Sequence, residues 1–260
     1  MPRFSVNNIE LDYDVTGHGE ALLLLHGLGS TKKDWENQVP YFSKEFKVVT
    51  VDLRGHGETT CPSSDYGVDL MVSDVKGLLD YLEIDKVIPV GFSMGGAVAF
   101  QLAYDYPDLI NKLVIVNSGP DFNDMGTTGE QMLRTRTKML KEQGLNPLAE
   151  QIAFNMFPEP GQEALRKEFE QRCKENDLNA YYHSFVTLMQ WGMGERIKDI
   201  KAKTLVITSD MDYTPVAFKS NYVKNMNDAT LEIIKNSRHG VVMDQPDQFN
   251  KVLYKFLKGE

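Results

Sequence analysis

The sequence predicts an α/β protein built on a mostly parallel central sheet flanked by helices. Three observations predict it. Short apolar runs recur along the chain, each closing in a Gly-rich turn. Helix-length amphipathic segments separate most of them. One long block, from about Pro120 to Asp199, breaks this alternation and contains no strand-like run. Short buried strands that alternate with helices must be covered on both faces, and that is the pattern of a parallel sheet.

The elements follow in order. Phe4 and Val6, then Ile9, Leu11, Tyr13 and Val15, alternate with polar residues across Asn7-Asn8. That period predicts a β-hairpin with one buried face. Strand-like runs follow at Ala21–Leu25, Phe46–Val51, Val87–Val90, Leu113–Val116, Leu205–Ile207 and Leu231–Ile234. Leu70, Val72, Val75, Leu78, Leu79 and Leu82 keep helical spacing within Val68–Leu82. Further helices are expected over Met94–Tyr106, Pro215–Met226 and around Phe249–Leu257. The block after the sixth strand, counting the hairpin as two, is rich in Met and aromatic residues. They include Met125, Met132, Phe154, Met156, Tyr181, Phe185, Met189 and Trp191. Such residues can fill a small core of their own, and a Met-rich surface also adapts to ligands. At about 80 residues the block exceeds what a connection needs.

Composition excludes several classes. The chain has 260 residues, 42% of them hydrophobic, and a formal charge of −9. A disordered chain would be less apolar. A nucleic-acid partner is not expected, because no dense basic run occurs. Lys198, Lys201 and Lys203 are interleaved with Asp199 and read as a solvated stretch. The longest apolar run, Ala21–Leu25, falls far short of a membrane span. The segment from Met1 to Asn7 has no apolar signal region, and Cys61 and Cys173 cannot frame a disulfide fold. A reducing cytoplasm is the expected compartment. The five histidines show no metal-ligand spacing.

Gly91-Phe92-Ser93-Met94-Gly95 is the sharpest local signal. It follows an apolar run and opens the small-residue stretch Gly95-Gly96-Ala97-Val98-Ala99. A serine on so tight a strand-to-helix turn is exposed on a strained backbone, and the helix N-terminus behind it favours developing negative charge. A hydroxyl needs a base to become a nucleophile. His239 is the candidate, since it lies in the loop after the last strand-like run. His18 falls in a hairpin loop and His183 at an apolar helical spacing, while His26 and His56 sit in Gly-rich turns. An acid must orient the base. Asp212 is chosen because it stands past a strand end and just before Thr214-Pro215, which opens a helix. Asp210 is its competitor, with turn or capping chemistry as the alternative role. The order Ser93, Asp212, His239 is that of the nucleophile-elbow hydrolases.

With these residues in place the chain resembles the α/β-hydrolase superfamily over nearly its whole length. Leu24-Leu25-His26-Gly27-Leu28-Gly29 is similar to that family's oxyanion turn. Val51-Asp52-Leu53-Arg54-Gly55-His56-Gly57 is similar to its Asp-x-Arg-Gly-His-Gly turn. The elbow around Ser93, Asp212-Tyr213-Thr214-Pro215 and Ser237-Arg238-His239 complete the match. The resemblance implies Ser93 as nucleophile, His239 as general base and Asp212 as orienting acid. It implies the backbone N–H groups of Leu28 and Met94 as oxyanion donors, and His26, Arg54 and His56 as turn architecture. It divides the chain into an α/β-hydrolase core, 1–119 and 200–260, and a helical cap, 120–199. Met125, Phe154, Met156, Met189 and Trp191 are the cap's candidate substrate contacts.

Three positions depart from the family pattern. Pro89 interrupts a central strand, where a bulge or a non-bonding position is then expected. Arg238 and Ser209 stand where glycine is frequent. The expected activity is a serine carboxylesterase acting on small to medium apolar esters through an acyl-enzyme. Lactone, thioester, perhydrolase or C–C bond chemistry on the same residues is the alternative. A ligand-binding signalling protein with a slow retained triad is another. No cofactor or metal is expected. Ser93 disfavours a dehalogenase, which would carry aspartate there, and the acidic charge weakly disfavours acyl-CoA.

Overall fold

The computed structural model describes residues 2–62 and 64–259; Met1 and Glu260, the outer ends of the expected core segments, lie outside them. The chain opens with β1 (Arg3–Val6) and β2 (Ile9–Thr16), joined by Asn7 and Asn8 at φ 44° and 62°. Asn is among the few residues that tolerate the left-handed region, so this pair makes the tight turn the alternation predicts. Ile9, Leu11 and Tyr13 are buried, but Val15 is exposed although it pairs with the buried Val49. Then come β3 (Glu20–Leu25), a 3-10 turn at Lys32–Trp35, the one-turn α1 (Val39–Phe42) and β4 (Phe46–Val51). Helix α2 (Val68–Tyr81) leads to β5 (Val87–Phe92), α3 (Met94–Asp105) and β6 (Lys112–Val116).

Four helices separate β6 from the next strand: α4 (Gly126–Gln143), α5 (Leu145–Met156), α6 (Glu163–Lys174) and α7 (Leu178–Gln190). Asp177 starts α7 by accepting the Ala180 N–H, an N-cap bond of 2.8 Å. The chain returns to the sheet at β7 (Lys203–Ser209) and ends with α8 (Val216–Val223), β8 (Ala229–Ile234), the one-turn α9 (Val241–Asp244) and α10 (Pro246–Lys258). The eight strands form one sheet in the order β1-β2-β4-β3-β5-β6-β7-β8. β1 and β2 are antiparallel, β2 is antiparallel to β4, and every later pair is parallel.

Alternation along the strands builds two cores, one on each face. Leu23 and Leu25 of β3, Val49 and Val51 of β4, and Leu113 and Ile115 of β6 join α2 and α3 on one side. Leu22, Leu24, Val48, Val114 and Val116 join α10, Trp35 and the four-helix segment on the other. β8 is the outer strand, with Leu231 packed on one face and Ile234 on the other, and Ile233 stays exposed at that edge within a run expected to be buried. At Pro89 the sheet does what a missing N–H requires. Val87 faces Ile110 and Val90 faces Val114, so three steps along β5 match four along β6. The extra residue is a bulge beside the proline. The chain winds one way from β3 to β4 and the other way from β3 to β5. That reversal opens a crevice at the strand ends where Leu28 and Ser93 lie. No helix among the described residues is long and apolar enough to cross a membrane.

Candidate active site

Ser93 sits between β5 and α3 at φ 53°, ψ −114°, a conformation costly for a residue with a Cβ. The turn is tight enough to demand its glycines. A Cβ on Gly91 would lie 2.2 Å from the Gly95 carbonyl oxygen, and one on Gly95 would lie 2.3 Å from the Leu25 oxygen. This compression pushes the Ser93 side chain out over the sheet edge. The His239 Nε2 lies 3.0 Å from Ser93 Oγ, and its Nδ1 lies 2.5 Å from Asp212 Oδ1. With the proton on Nδ1 donated to Asp212, Nε2 is free to accept from the serine hydroxyl. Tyr213 stacks on the imidazole at 4.3 Å between centroids, and Phe92 packs against it at 5.1 Å. Asp210, the competing acid, accepts the Ser237 N–H instead and braces the loop.

Three further residues hold this line in place, and sequence reading missed them. Lys219 of α8 is fully buried, with Nζ 2.5 Å from Asp212 Oδ2 and 2.7 Å from the Thr214 carbonyl oxygen. Burial alone would raise the Asp212 pKa. The charges of His239 and Lys219 and their hydrogen bonds outweigh it and hold the carboxyl well below the usual range. Asn117, just past β6 at φ 43°, donates to the His239 carbonyl (2.8 Å) and to Ser209 Oγ (2.7 Å) and accepts the Ser209 N–H (2.9 Å). It therefore ties the acid-bearing strand to the loop that carries the base. Ser209 in turn donates to the Arg238 carbonyl, a bond glycine could not make. Asp34 accepts from Ser30 and from the Gly27 N–H and faces Arg172 of α6 at 3.5 Å. That pairing couples the four-helix segment to the Gly27-Leu28 turn.

Met94 is the first residue of α3, where an N–H has no intrahelical carbonyl. Among the described residues neither the Leu28 nor the Met94 N–H donates to a backbone carbonyl outside a regular element. His26 accepts the Leu53 N–H at 2.9 Å through Nε2 and meets the Gly27 oxygen through Nδ1. Burial pulls its pKa down to about 4, and burial with the neighbouring His26 pulls His56 down to about 3. Both are neutral turn residues at physiological pH. Arg54 pairs with buried Asp74 through two bonds of 2.8 and 2.7 Å.

A cavity of about 110 Å³ opens above Ser93 and His239. Met125, Met156 and Met189 line it, as the sequence suggests, joined by Met132, Ile152, Phe169 and Phe185. Two candidates lie elsewhere. Phe154 is 57% exposed under the Arg166 guanidinium, because α5 buries Leu148, Ala149, Ile152, Ala153 and Met156 and turns residue 154 outward. Trp191 is buried in the core on the α3 side of the sheet, its indole N–H donating to Gln101 at 3.0 Å. Its direction depends on how the chain leaves α7. Among the described residues no group of three or more His, Cys, Asp or Glu side chains could hold a metal ion.

Comparison with known proteins agrees with this architecture. The 3-oxoadipate enol-lactonase 2 of Acinetobacter baylyi is 27% identical over 261 residues, spanning 98% of this chain and 95% of that one. The 2-hydroxy-6-oxo-6-phenylhexa-2,4-dienoate hydrolase of Burkholderia cepacia is 29% identical over 270 residues, spanning 97% and 92%. The crystal structure of the enol-lactonase from Burkholderia xenovorans superimposes with a TM-score of 0.92 at 24% identity, over 99% of this chain and all of that one. The α/β-hydrolase fold family matches residues 20–246. With that match on a sheet of this order, the chain belongs to the α/β-hydrolase fold family and is a hydrolase.

Proposed function

We propose that the protein is a serine hydrolase that cleaves carboxylic esters, lactones among them, through an acyl-enzyme on Ser93. The observation that supports this most is the hydrogen-bonded line from Ser93 Oγ through His239 to Asp212 Oδ1, set at the wall of an apolar cavity. His239 Nε2 takes the serine proton as Oγ attacks the ester carbonyl carbon. The oxyanion forms against the Leu28 and Met94 N–H groups, each worth about 3–4 kcal/mol in such a role. Collapse expels the alcohol, which leaves with the proton held by His239. Water, deprotonated by the same imidazole, then releases the acid and regenerates Ser93. For a lactone the alcohol and acid stay in one molecule. The helices α4 to α7 act as the cap that shapes the pocket, with Met125, Met156 and Met189 as contacts.

A second reading uses the same residues to cleave a C–C bond beside a ketone. It is supported by the relative of Burkholderia cepacia that carries a dienoate-hydrolase name. Turnover of p-nitrophenyl acetate, butyrate, octanoate and palmitate, with Ser93→Ala as control, tests the first reading. Ester turnover is expected, falling by at least about 10³-fold in the variant. Undiminished turnover by Ser93→Ala overturns the assignment. Inertness towards esters and lactones, with turnover of a vinylogous diketone, selects the second reading.

A further inference from the structure

Among the described residues one permanently charged cation lines the cavity above Ser93. Arg136, on α4, lines it among methionines and aromatic rings and is half-buried. Its guanidinium lies over the Phe185 ring, 5.5 Å from the centroid. Stacking of this kind occupies the face of the group and leaves the N–H donors around its edge available. Among the described residues those donors meet no carboxylate in an ion pair, whereas Arg54 and Arg172 each face an aspartate. The cavity's own acids are engaged: Asp212 by His239 and Lys219, and Asp121 by the Gly194 N–H at 2.6 Å. A second polar group points the same way. Tyr181 lines the cavity at 1% exposure, and its hydroxyl has no hydrogen-bond partner among the described residues. A buried hydroxyl left unpaired is costly, so one that faces a cavity is a ready partner for a polar group bound there. The Arg136 charge also acts on Tyr181 and Tyr213. Burial raises both phenol pKa values and Arg136 opposes the rise, which places the guanidinium within electrostatic range of the ring stacked on His239.

We infer that the preferred substrate is an ester or lactone that carries a carboxylate, received by the Arg136 guanidinium and the Tyr181 hydroxyl while Ser93 attacks the ester carbonyl. This rests on the serine-hydrolase reading above. A net charge of −9 repels anions at long range, so a local cation within apolar walls is what an acidic substrate requires. The apolar lining excludes water and strengthens the charge-assisted bond.

The test compares the mono-p-nitrophenyl ester of adipic acid with its neutral methyl diester, reading nitrophenolate release. The ratio of kcat/KM, acid over neutral, is expected to fall at least about tenfold in Arg136→Gln and by a smaller factor in Tyr181→Phe. Arg134→Gln, an exposed arginine on the same helix, controls for overall charge and is expected to leave the ratio in place. Ser93-dependent turnover with a ratio that Arg136→Gln does not move overturns this inference and leaves the serine-hydrolase reading standing. Turnover that survives Ser93→Ala overturns that reading instead. If neither ester is cleaved, calorimetry of monomethyl adipate on Ser93→Ala decides. Binding that weakens about tenfold or more on adding Arg136→Gln supports the site, and absent or unaltered binding overturns it.

Discussion

Lys219 Nζ and His239 Nδ1 hold opposite oxygens of the Asp212 carboxylate, each at 2.5 Å. The lysine is fully buried and comes from α8, on the far side of the acid from the serine. Burial works against its charge and the Asp212 carboxylate opposes that loss. The buried pair is therefore neutral as a whole, and the imidazole faces a carboxylate whose charge is partly balanced. In Lys219→Met the carboxylate loses one of its two partners. Activity, read as kcat/KM, is expected to fall at least about tenfold, and stability to fall by about 3–5 kcal/mol as a buried pair is broken. Steady-state kinetics alongside urea unfolding checks both. Lost stability with kcat/KM unmoved makes Lys219 a brace only.

Asn117 joins the acid strand to the base loop through four side-chain bonds, three donated and one accepted. Asn117→Asp keeps the shape and the acceptor towards Ser209 N–H, but turns a carboxylate against the Arg238 and His239 carbonyls. The expected result is a drop in kcat of at least tenfold, with KM changed much less, because the base moves while the cavity stays. Steady-state kinetics on one ester separates the two parameters. Equal losses in KM and none in kcat would assign Asn117 to the pocket instead.

Gly95→Ala tests the packing under the elbow. Its Cβ would meet backbone oxygens of Leu25 and His26 at 2.3 and 2.8 Å. Neither can rotate away, so α3 must move off β3 and carry the Met94 N–H with it. A loss of at least about 1–3 kcal/mol is expected, together with most of the activity. Thermal melting and single-turnover acylation measure these, and a variant that melts and acylates like the parent contradicts the contact.

Asp244 is pushed up to about 6 by burial, against the Ser237 hydroxyl and backbone donors that favour its charge. The unfolded value is near 3.8, so the folded state binds the extra proton between the two. The penalty is absent below about pH 4, grows as pH rises, and is complete above about pH 6. Asp244→Asn removes it. The variant is expected to gain about 1–2 kcal/mol at pH 8, allowing for partial exposure, and nothing at pH 4. Melting at the two pH values reads the difference, and an equal shift at both would remove the titration argument.

Much of the fold was legible because strands buried on both faces leave an unmistakable mark. Leu22 to Leu25 is apolar at every position, since both of its faces are covered. The elbow was legible for a related reason. Gly91, Ser93 and Gly95 are a local demand of one tight turn, and a local demand is written in adjacent residues. Edges were less legible. Val15 and Ile233 carry strand character without burial, because exposure depends on what covers a strand rather than on the strand itself.

Sequence alone determined the parallel sheet, its order of elements and the residue types that meet at the strand ends. These follow from period, turn chemistry and spacing, which act over a few residues. Only the tertiary structure decided the directions of side chains from distant segments. No motif or spacing singles out Lys219, Asn117 or Arg136. Folding turns the first onto Asp212, the second onto Ser209 and the His239 loop, and the third into the cavity, while it turns Phe154 out and Trp191 away. The reason is that each contact joins residues far apart in sequence. A helix that presents one face to the core can be rotated by its connections, and no local pattern records that rotation.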